Sequence, residues 1–301
     1  MIYTSFDEIL AKVQSFESLR RCVVAGANDE HALEAVFEAQ KQNIVFPVLV
    51  GDRTKIEEII NKLGYASEKH EIVEVPKDST AAQIAVNLIN MGKGDFILKG
   101  KIETKDLLKP IVDKKNGLNE SGLMTHFGLL KLPEYQKMVV LTDGAMIPYP
   151  DLETKKKIIN AVVSTLRNMG YERPKVAVLC AVEKVNTKMI ETVEAEKLQK
   201  MSETGEIENC DVIGPISFDL AISKEAAKVK NYECPYSGEF DVFLAPNMVT
   251  GNIIAKIWSL QLKADMAGMI IGAKIPIGLV SRSASSMEKL NSILLCAAAC
   301  K

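Results

Sequence analysis

Histidine is scarce in this chain, with three in 301 residues. His31 falls in the first turn of a helical pattern and His70 in a polar loop, so both read as surface residues. His126, after Met124-Thr125, is the one histidine with a plausible cleft position, and a structural hydrogen bond is its competing role. Six cysteines (22, 180, 210, 234, 296 and 300) never form a Cys-x-x-Cys pair. In a chain this long that means reduced, mostly buried thiols rather than a disulfide framework. Cys296 and Cys300 can share a helix face, but no further Cys or His lies near enough in sequence for a zinc site. No metal is expected.

Charge of one sign is missing too. Thirty-seven Lys and Arg face 39 Asp and Glu, a formal net charge of −2 spread evenly along the chain. Neither nucleic acid nor an anionic membrane is indicated as a partner. No apolar run approaches about 18 residues, and the opening Met-Ile-Tyr-Thr-Ser-Phe-Asp-Glu carries acids where a signal peptide carries basic residues. A cytoplasmic location is expected. Several catalytic signatures are absent as well. Gly26-Ala27-Asn28 stands where a dinucleotide Gly-x-Gly-x-x-Gly would open a helix. There is no Walker Gly-x-x-x-x-Gly-Lys-Ser/Thr and no Gly-x-Ser-x-Gly elbow, which argues against a P-loop kinase and an α/β-hydrolase.

What is present is an ordinary globular composition, 47% apolar and 25% charged. The length suits two domains of about 150 residues each. Strand and helix patterns alternate almost without break. Helix 5–16 precedes strand 21–26; Asp29 can cap helix 30–42; strand 46–50 leads through Asp52 to helix 54–63. A weak strand 71–75 follows, then helix 81–91 behind Ser79 or Thr80, strand 95–98, helix 105–112 and strand 128–131. The later part reads as strand 137–141, helix 152–169, strand 175–180, helix 189–201, strand 211–213, a short helix near 218–223, strand 241–244, helix 253–262, strands 268–271 and 277–280, and helix 287–299. This is an α/β fold: two α/β/α domains with mainly parallel sheets. The domain crossing is placed between about Leu132 and Met138. The expected division is 1–134 plus 277–301 for the first domain and 135–276 for the second, with the last helix returning to the first.

Polar residues collect where strands end. Lys99-Gly100-Lys101 precedes Thr104 at the start of a helix, so Gly100 permits close backbone approach and Thr104 can act as a cap that donates to phosphate. Thr142-Asp143 and the stretch 246–252 stand at two other strand ends. At 268–289 the second apolar run is followed by Ser281-Arg282, small hydroxyl residues and a helix carrying Glu288. A strand end feeding a helix N-terminus favours an anion, and Arg282 offers a planar fork suited to phosphate. A solvated turn is the alternative. Donors for phosphate, without metal ligands, suit phosphoryl or acyl-phosphate chemistry.

The chain as a whole resembles the phosphate acetyl/butyryltransferase family, on its phosphate butyryltransferase side. The resemblance is carried by Asp95-Phe-Ile-Leu-Lys-Gly100 with Thr104, Leu141-Thr-Asp143 with Tyr149-Pro150, Pro174-Lys-Val-Ala with Cys180-Ala-Val-Glu183, and Asp211 with Gly214-Pro215 and Phe218-Asp219. Pro246-Asn247 with Thr250-Gly-Asn252 and Leu279-Val-Ser-Arg282 complete it. Gly251-Asn252 and Ser281-Arg282 are the specific motifs.

The resemblance implies an acyltransferase with an interdomain cleft. It moves a short-chain acyl group between CoA and inorganic phosphate, reversibly, with acyl-CoA and phosphate as substrates and no cofactor. By resemblance Arg282 holds phosphate, Ser281 bonds the reacting group, and Lys99, Gly100, Thr104, Lys109, Asn247, Gly251 and Asn252 bind substrate. The family habit implies a dimer or higher homo-oligomer. Two departures stand out. Glu288 replaces the family's Asp, proposed to deprotonate the CoA thiol, and Lys109 stands where an Arg is usual, keeping charge but losing the bidentate fork. A phosphate acetyltransferase is an alternative. A metal-dependent hydroxy-acid dehydrogenase needs clustered Asp residues and a nicotinamide site, and the sequence offers neither.

Overall fold

A computed structural model describes residues 2–77, 79–119, 122–279 and 285–300. In chain order its elements are α1 (Phe6–Gln14), β1 (Arg20–Ala25), α2 (Glu30–Lys41), β2 (Val45–Gly51), α3 (Arg53–Leu63), β3 (Glu71–Glu74), α4 (Ala81–Asn90), β4 (Phe96–Lys99) and α5 (Thr104–Ile111). Next come β5 (Thr125–Lys131), β6 (Val139–Thr142), α6 (Leu152–Asn168), β7 (Lys175–Cys180), α7 (Ile190–Glu203), β8 (Asp211–Ser217), α8 (Phe218–Ile222) and α9 (Lys224–Val229). The last are β9 (Val242–Leu244), α10 (Met248–Leu260), β10 (Asp265–Ile271), β11 (Ile277–Gly278) and α11 (Ser286–Ala299). The fold is α/β with mostly parallel sheet pairing. Two compact units divide the chain. One is Phe6–Met124 with Ala267 onward; the other is Thr125–Met266 with the first five residues.

In the unit built on Phe6–Met124, strands follow the order β3-β2-β1-β4-β11-β10. Pairing from β3 to β11 is parallel, and β10 joins β11 antiparallel through Met269 opposite Gly278. The helices start where side-chain acceptors can satisfy orphan N–H groups. Asp29 accepts from the Ala32 amide, Asp52 from Lys55 and Thr80 from Gln83. Gly64 ends α3 in the left-handed region at φ 78°, where a side chain would be strained. Helix α11 is buried from Asn291 to Ala299 and packs on α2 and α1. Its run Ala297-Ala298-Ala299 lets the backbones approach. Ser292 fastens it by donating to the Glu288 carbonyl (2.7 Å) and accepting from the Gly268 amide (2.9 Å).

In the unit built on Thr125–Met266 the order is β5-β6-β9-β7-β8. Only β5 runs against its neighbour; β6, β9, β7 and β8 are mutually parallel. Their carboxyl ends therefore share one edge. The core holds Trp258 against Phe243 at 6.0 Å between centroids, and at the core's edge the partly exposed Phe218 ring lies 5.8 Å from Trp258. Burying such rings is worth about 1.5–3 kcal/mol each. Lys137 and Asp241 form a buried ion pair at 2.6 Å, and the Lys175 amide takes the second Asp241 oxygen. That pairing is what makes two buried charges tolerable. Helix α9 has no counterpart in the sequence reading; Ser223 caps it by accepting from the Ala226 amide. Among the described residues no helix is long and apolar enough to cross a membrane.

Candidate active site

Each unit brings part of the expected set together. In the first, β4 ends at Lys99, and the next residues lie against the turn after β1. Gly100 N–H donates to Ala25 and Lys101 N–H to Gly26, both at 2.9 Å. A Cβ on Gly100 would sit 2.2 Å from the Gly26 carbonyl oxygen, so the close approach that demands glycine there is to the chain itself. Lys99 is half-buried and its Nζ donates to the Gly100 carbonyl (3.3 Å). Thr104 is the first helical residue of α5, not its cap: Glu103, at φ −67° and ψ 143°, occupies the extended cap position. Lys109 lies exposed on the same helix.

Glu288 occupies the first turn of α11, where it closes a capping box. Its amide donates to Ser285 Oγ (3.1 Å), and its Oε2 accepts from the Ser285 amide (2.8 Å). The Ser285-x-x-Glu288 spacing carried that signal. Ser281 and Arg282 lie outside the described residues, as does Val280 at the end of the expected 277–280 strand.

In the second unit the strand-end stretch 246–252, expected to precede a helix over 253–262, is itself largely helix. Asn247 caps α10, its Oδ1 accepting from the Thr250 amide (3.0 Å) and hydroxyl (3.1 Å). Gly251 and Asn252 thus sit on the helix's first turn, because the Asn247 cap lets the helix start five residues earlier than apolar periodicity suggests. A Cβ at Gly251 would stand 2.4 Å from the Asp143 carbonyl oxygen and 3.0 Å from Gly144 Cα. Asn252 Nδ2 donates to the Gly144 carbonyl (2.9 Å). The helix start is therefore docked on the Asp143-Gly144 backbone.

Asp143, a strand-end polar residue that also belongs to the Leu141-Thr-Asp143 segment of the resemblance, is the hub of this corner. It is 2% exposed. Oδ2 accepts from Thr125 Oγ1 (2.8 Å) and the His126 amide (3.2 Å); Oδ1 accepts from the Ala145 (2.7 Å) and Met146 (2.8 Å) amides. Four donors on one carboxylate hold the turn after β6 rigid. His126 packs beside it with Nδ1 enclosed and, among the described residues, without a hydrogen-bond partner. Burial pushes the His126 pKa down, and the Asp143 charge partly opposes this.

The same strand edge opens a cleft of about 530 Å³. Four parallel strands contribute to it: Tyr149 and Pro150 follow β6, Pro246 and Asn247 follow β9, Leu179 to Ala181 end β7, and Phe218 follows β8. Crevices beyond the carboxyl ends of parallel strands are where α/β folds bind ligands. Lys155, Ile190, Glu191, Glu194, Thr250 and Ile254 complete the walls. Lys155, 4% exposed, is tied to Glu194 at 2.5 Å. Burial pushes the Cys180 thiol up to about 12, so it is a neutral donor, to the Glu191 carbonyl at 3.5 Å. Sequence reasoning singled out Asn247 and, by resemblance, Tyr149, Cys180 and Phe218. Lys155, Glu191, Glu194 and Ile254 carried no local signal.

Comparison with known proteins places the chain among relatives. Residues 76–297 match the family model described as phosphate acetyl/butaryl transferase. The chain is 39% identical to the phosphate butyryltransferase of Clostridium acetobutylicum, over 97% of each chain. It is 37% identical to the phosphate acetyltransferase of Thermotoga maritima, over 92% of this chain and 94% of that one. Among solved structures, a branched-chain phosphotransacylase from Enterococcus faecalis superposes with a TM-score of 0.83 at 28% identity, covering 93% of this chain and 99% of that one. On a family match across most of its length and near-complete correspondence with such relatives, the chain belongs to the phosphate acetyl/butyryltransferase family.

Proposed function

We propose that this protein transfers a butyryl-like short-chain acyl group between CoA and inorganic phosphate. The observation that carries the reading is the 39% identity to a phosphate butyryltransferase across 97% of both chains. The predominantly apolar side chains at the carboxyl edge of β6 to β8 support an acyl group larger than acetyl.

In the direction of acyl-CoA synthesis, the CoA thiol loses its proton and the thiolate attacks the acyl phosphate carbonyl. A C–S bond forms, the C–O bond to phosphate breaks, and inorganic phosphate leaves with the electron pair. A free thiol near pKa 8.5 is mostly protonated at neutral pH, so a carboxylate base aids the first step. Glu288 is assigned that role, Arg282 the phosphate and Ser281 a hydrogen bond to the reacting group. Lys99, Thr104 and Lys109 add donors for the phosphate. Asn247 donates to substrate, while Gly251 and Asn252 hold the helix start that presents it. The charge that develops on the carbonyl oxygen and then on phosphate is what Arg282 and Ser281 stabilise. No covalent enzyme intermediate is required. The working form is a dimer or higher homo-oligomer.

Free-thiol release from butyryl-CoA or acetyl-CoA in the presence of phosphate tests the reading. A kcat/KM for butyryl-CoA above that for acetyl-CoA is expected. A clear preference for acetyl-CoA would make the protein a phosphate acetyltransferase instead.

A further inference from the structure

The cleft at the carboxyl ends of β6, β9, β7 and β8 has properties that select among the parts of an acyl-CoA. Its charged lining is one lysine and two glutamates, and that lysine, Lys155, is buried and already paired with Glu194 at 2.5 Å. Among the described lining residues, no unpaired cation remains for the phosphates of the nucleotide end. Leu179, Ile190, Phe218 and Ile254 supply apolar wall. Phe218 is a stiff part of it, its ring set edge-on to Phe243 at 6.0 Å and against Trp258 at 5.8 Å. Asn247 adds a directed polar group to the same space. Asn247 Oδ1 is occupied by Thr250, while among the described residues nothing accepts from its Nδ2. An uncharged, flexible chain ending in a carbonyl fits that lining. A polyanion does not.

We propose that this cleft is the acyl-chain subsite and that Ile254 sets the chain length and branching it accepts, an inference resting on the acyl-transfer reading above. Asn247 Nδ2 donates to the acyl carbonyl at its mouth, and the chain runs between Phe218, Leu179 and Ile254. At about 530 Å³ the space exceeds the needs of four carbons and lies within the ~300–1,000 Å³ usual for small-molecule sites. Five-carbon and branched chains are therefore expected to be substrates.

The test compares kcat/KM for acetyl-, butyryl-, isovaleryl- and hexanoyl-CoA in the wild type, Ile254→Phe and Ile254→Ala, with the KM for phosphate and thermal unfolding measured alongside. One methylene in an apolar pocket discriminates by about 10-fold or more. Ile254→Phe is expected to lower the butyryl-to-acetyl ratio by about 10-fold, and Ile254→Ala to raise the hexanoyl-to-butyryl ratio by a similar factor. The phosphate KM should stay constant. Ratios unchanged within about twofold in folded variants would overturn the subsite while leaving acyl transfer intact; no phosphate-dependent transfer by the wild type would overturn the parent reading instead. Should both variants misfold, Ile190→Trp, at a position 65% exposed on the rim, must depress isovaleryl-CoA more than acetyl-CoA, and equal effects would refute the proposal.

Discussion

Replacing Glu288 by glutamine separates two jobs its carboxylate could hold. As a capping partner it accepts from the Ser285 amide at 2.8 Å, and a glutamine oxygen does this equally well. What glutamine removes is the negative charge near the start of α11, worth about 0.3–1 kcal/mol. Against a typical stability of about 5–15 kcal/mol, that leaves the folded population essentially intact. As the base that takes the CoA proton, by contrast, Glu288 is expected to contribute about 10²–10⁴ in rate. The two effects differ enough to be told apart by turnover in the acyl phosphate plus CoA direction, followed against pH, with thermal unfolding as the control. Glu288→Gln should fold normally, lose at least about 10² in kcat and lose the acid limb of the profile. Glu288→Ala should lose as much rate and, in addition, about 0.5–1.5 kcal/mol of stability with the cap bond. Turnover of Glu288→Gln within threefold of wild type, with the same pH profile, refutes the base assignment and leaves Glu288 a capping residue alone.

Three further outcomes follow from other parts of the molecule. Arg282→Ala should cost about 10²–10³ in turnover, and Arg282→Lys should recover only part because an ammonium lacks the planar fork; near-wild-type turnover of a folded Arg282→Ala protein would remove it from the phosphate site. Gly251→Ala places a methyl 2.4 Å from the Asp143 carbonyl, so denaturant unfolding should show about 1–3 kcal/mol of destabilisation, and an unchanged midpoint would contradict the docking of α10 on that turn. His126 has its folded pKa depressed by burial, so the unfolded chain binds the proton first as pH falls below about 6.5. Stability should drop from that point toward the lower folded pKa, and His126→Gln should remove part of the slope; an unaltered slope would show that the ring titrates freely.

Much of the fold was legible because its signals are local. Asp29, Asp52 and Thr80 each cap a helix through an amide three residues on, and strand 175–180 emerged with its expected bounds from its apolar run alone. Misplaced boundaries share a cause. Apolar periodicity starts the helix at 253, yet Asn247 caps a helix from Met248 whose Gly251 is required by contact with residues more than a hundred positions earlier. Thr104 has the residue type of a cap, but the backbone of Glu103 takes that place.

The sequence by itself determined an α/β chain of alternating strands and helices, the absence of familiar nucleotide motifs, and a set of polar strand ends, because hydrophobic period and capping act over a few residues. Tertiary structure alone decided the strand order, the antiparallel joins of β5 to β6 and β10 to β11, and the four-donor environment of Asp143. It alone gathered Lys155, Glu194, Phe218 and Ile254 around one cleft. Those features depend on which faces are buried against each other across a hundred residues or more, and the pattern that specifies them is spread too thinly along the chain to be read locally.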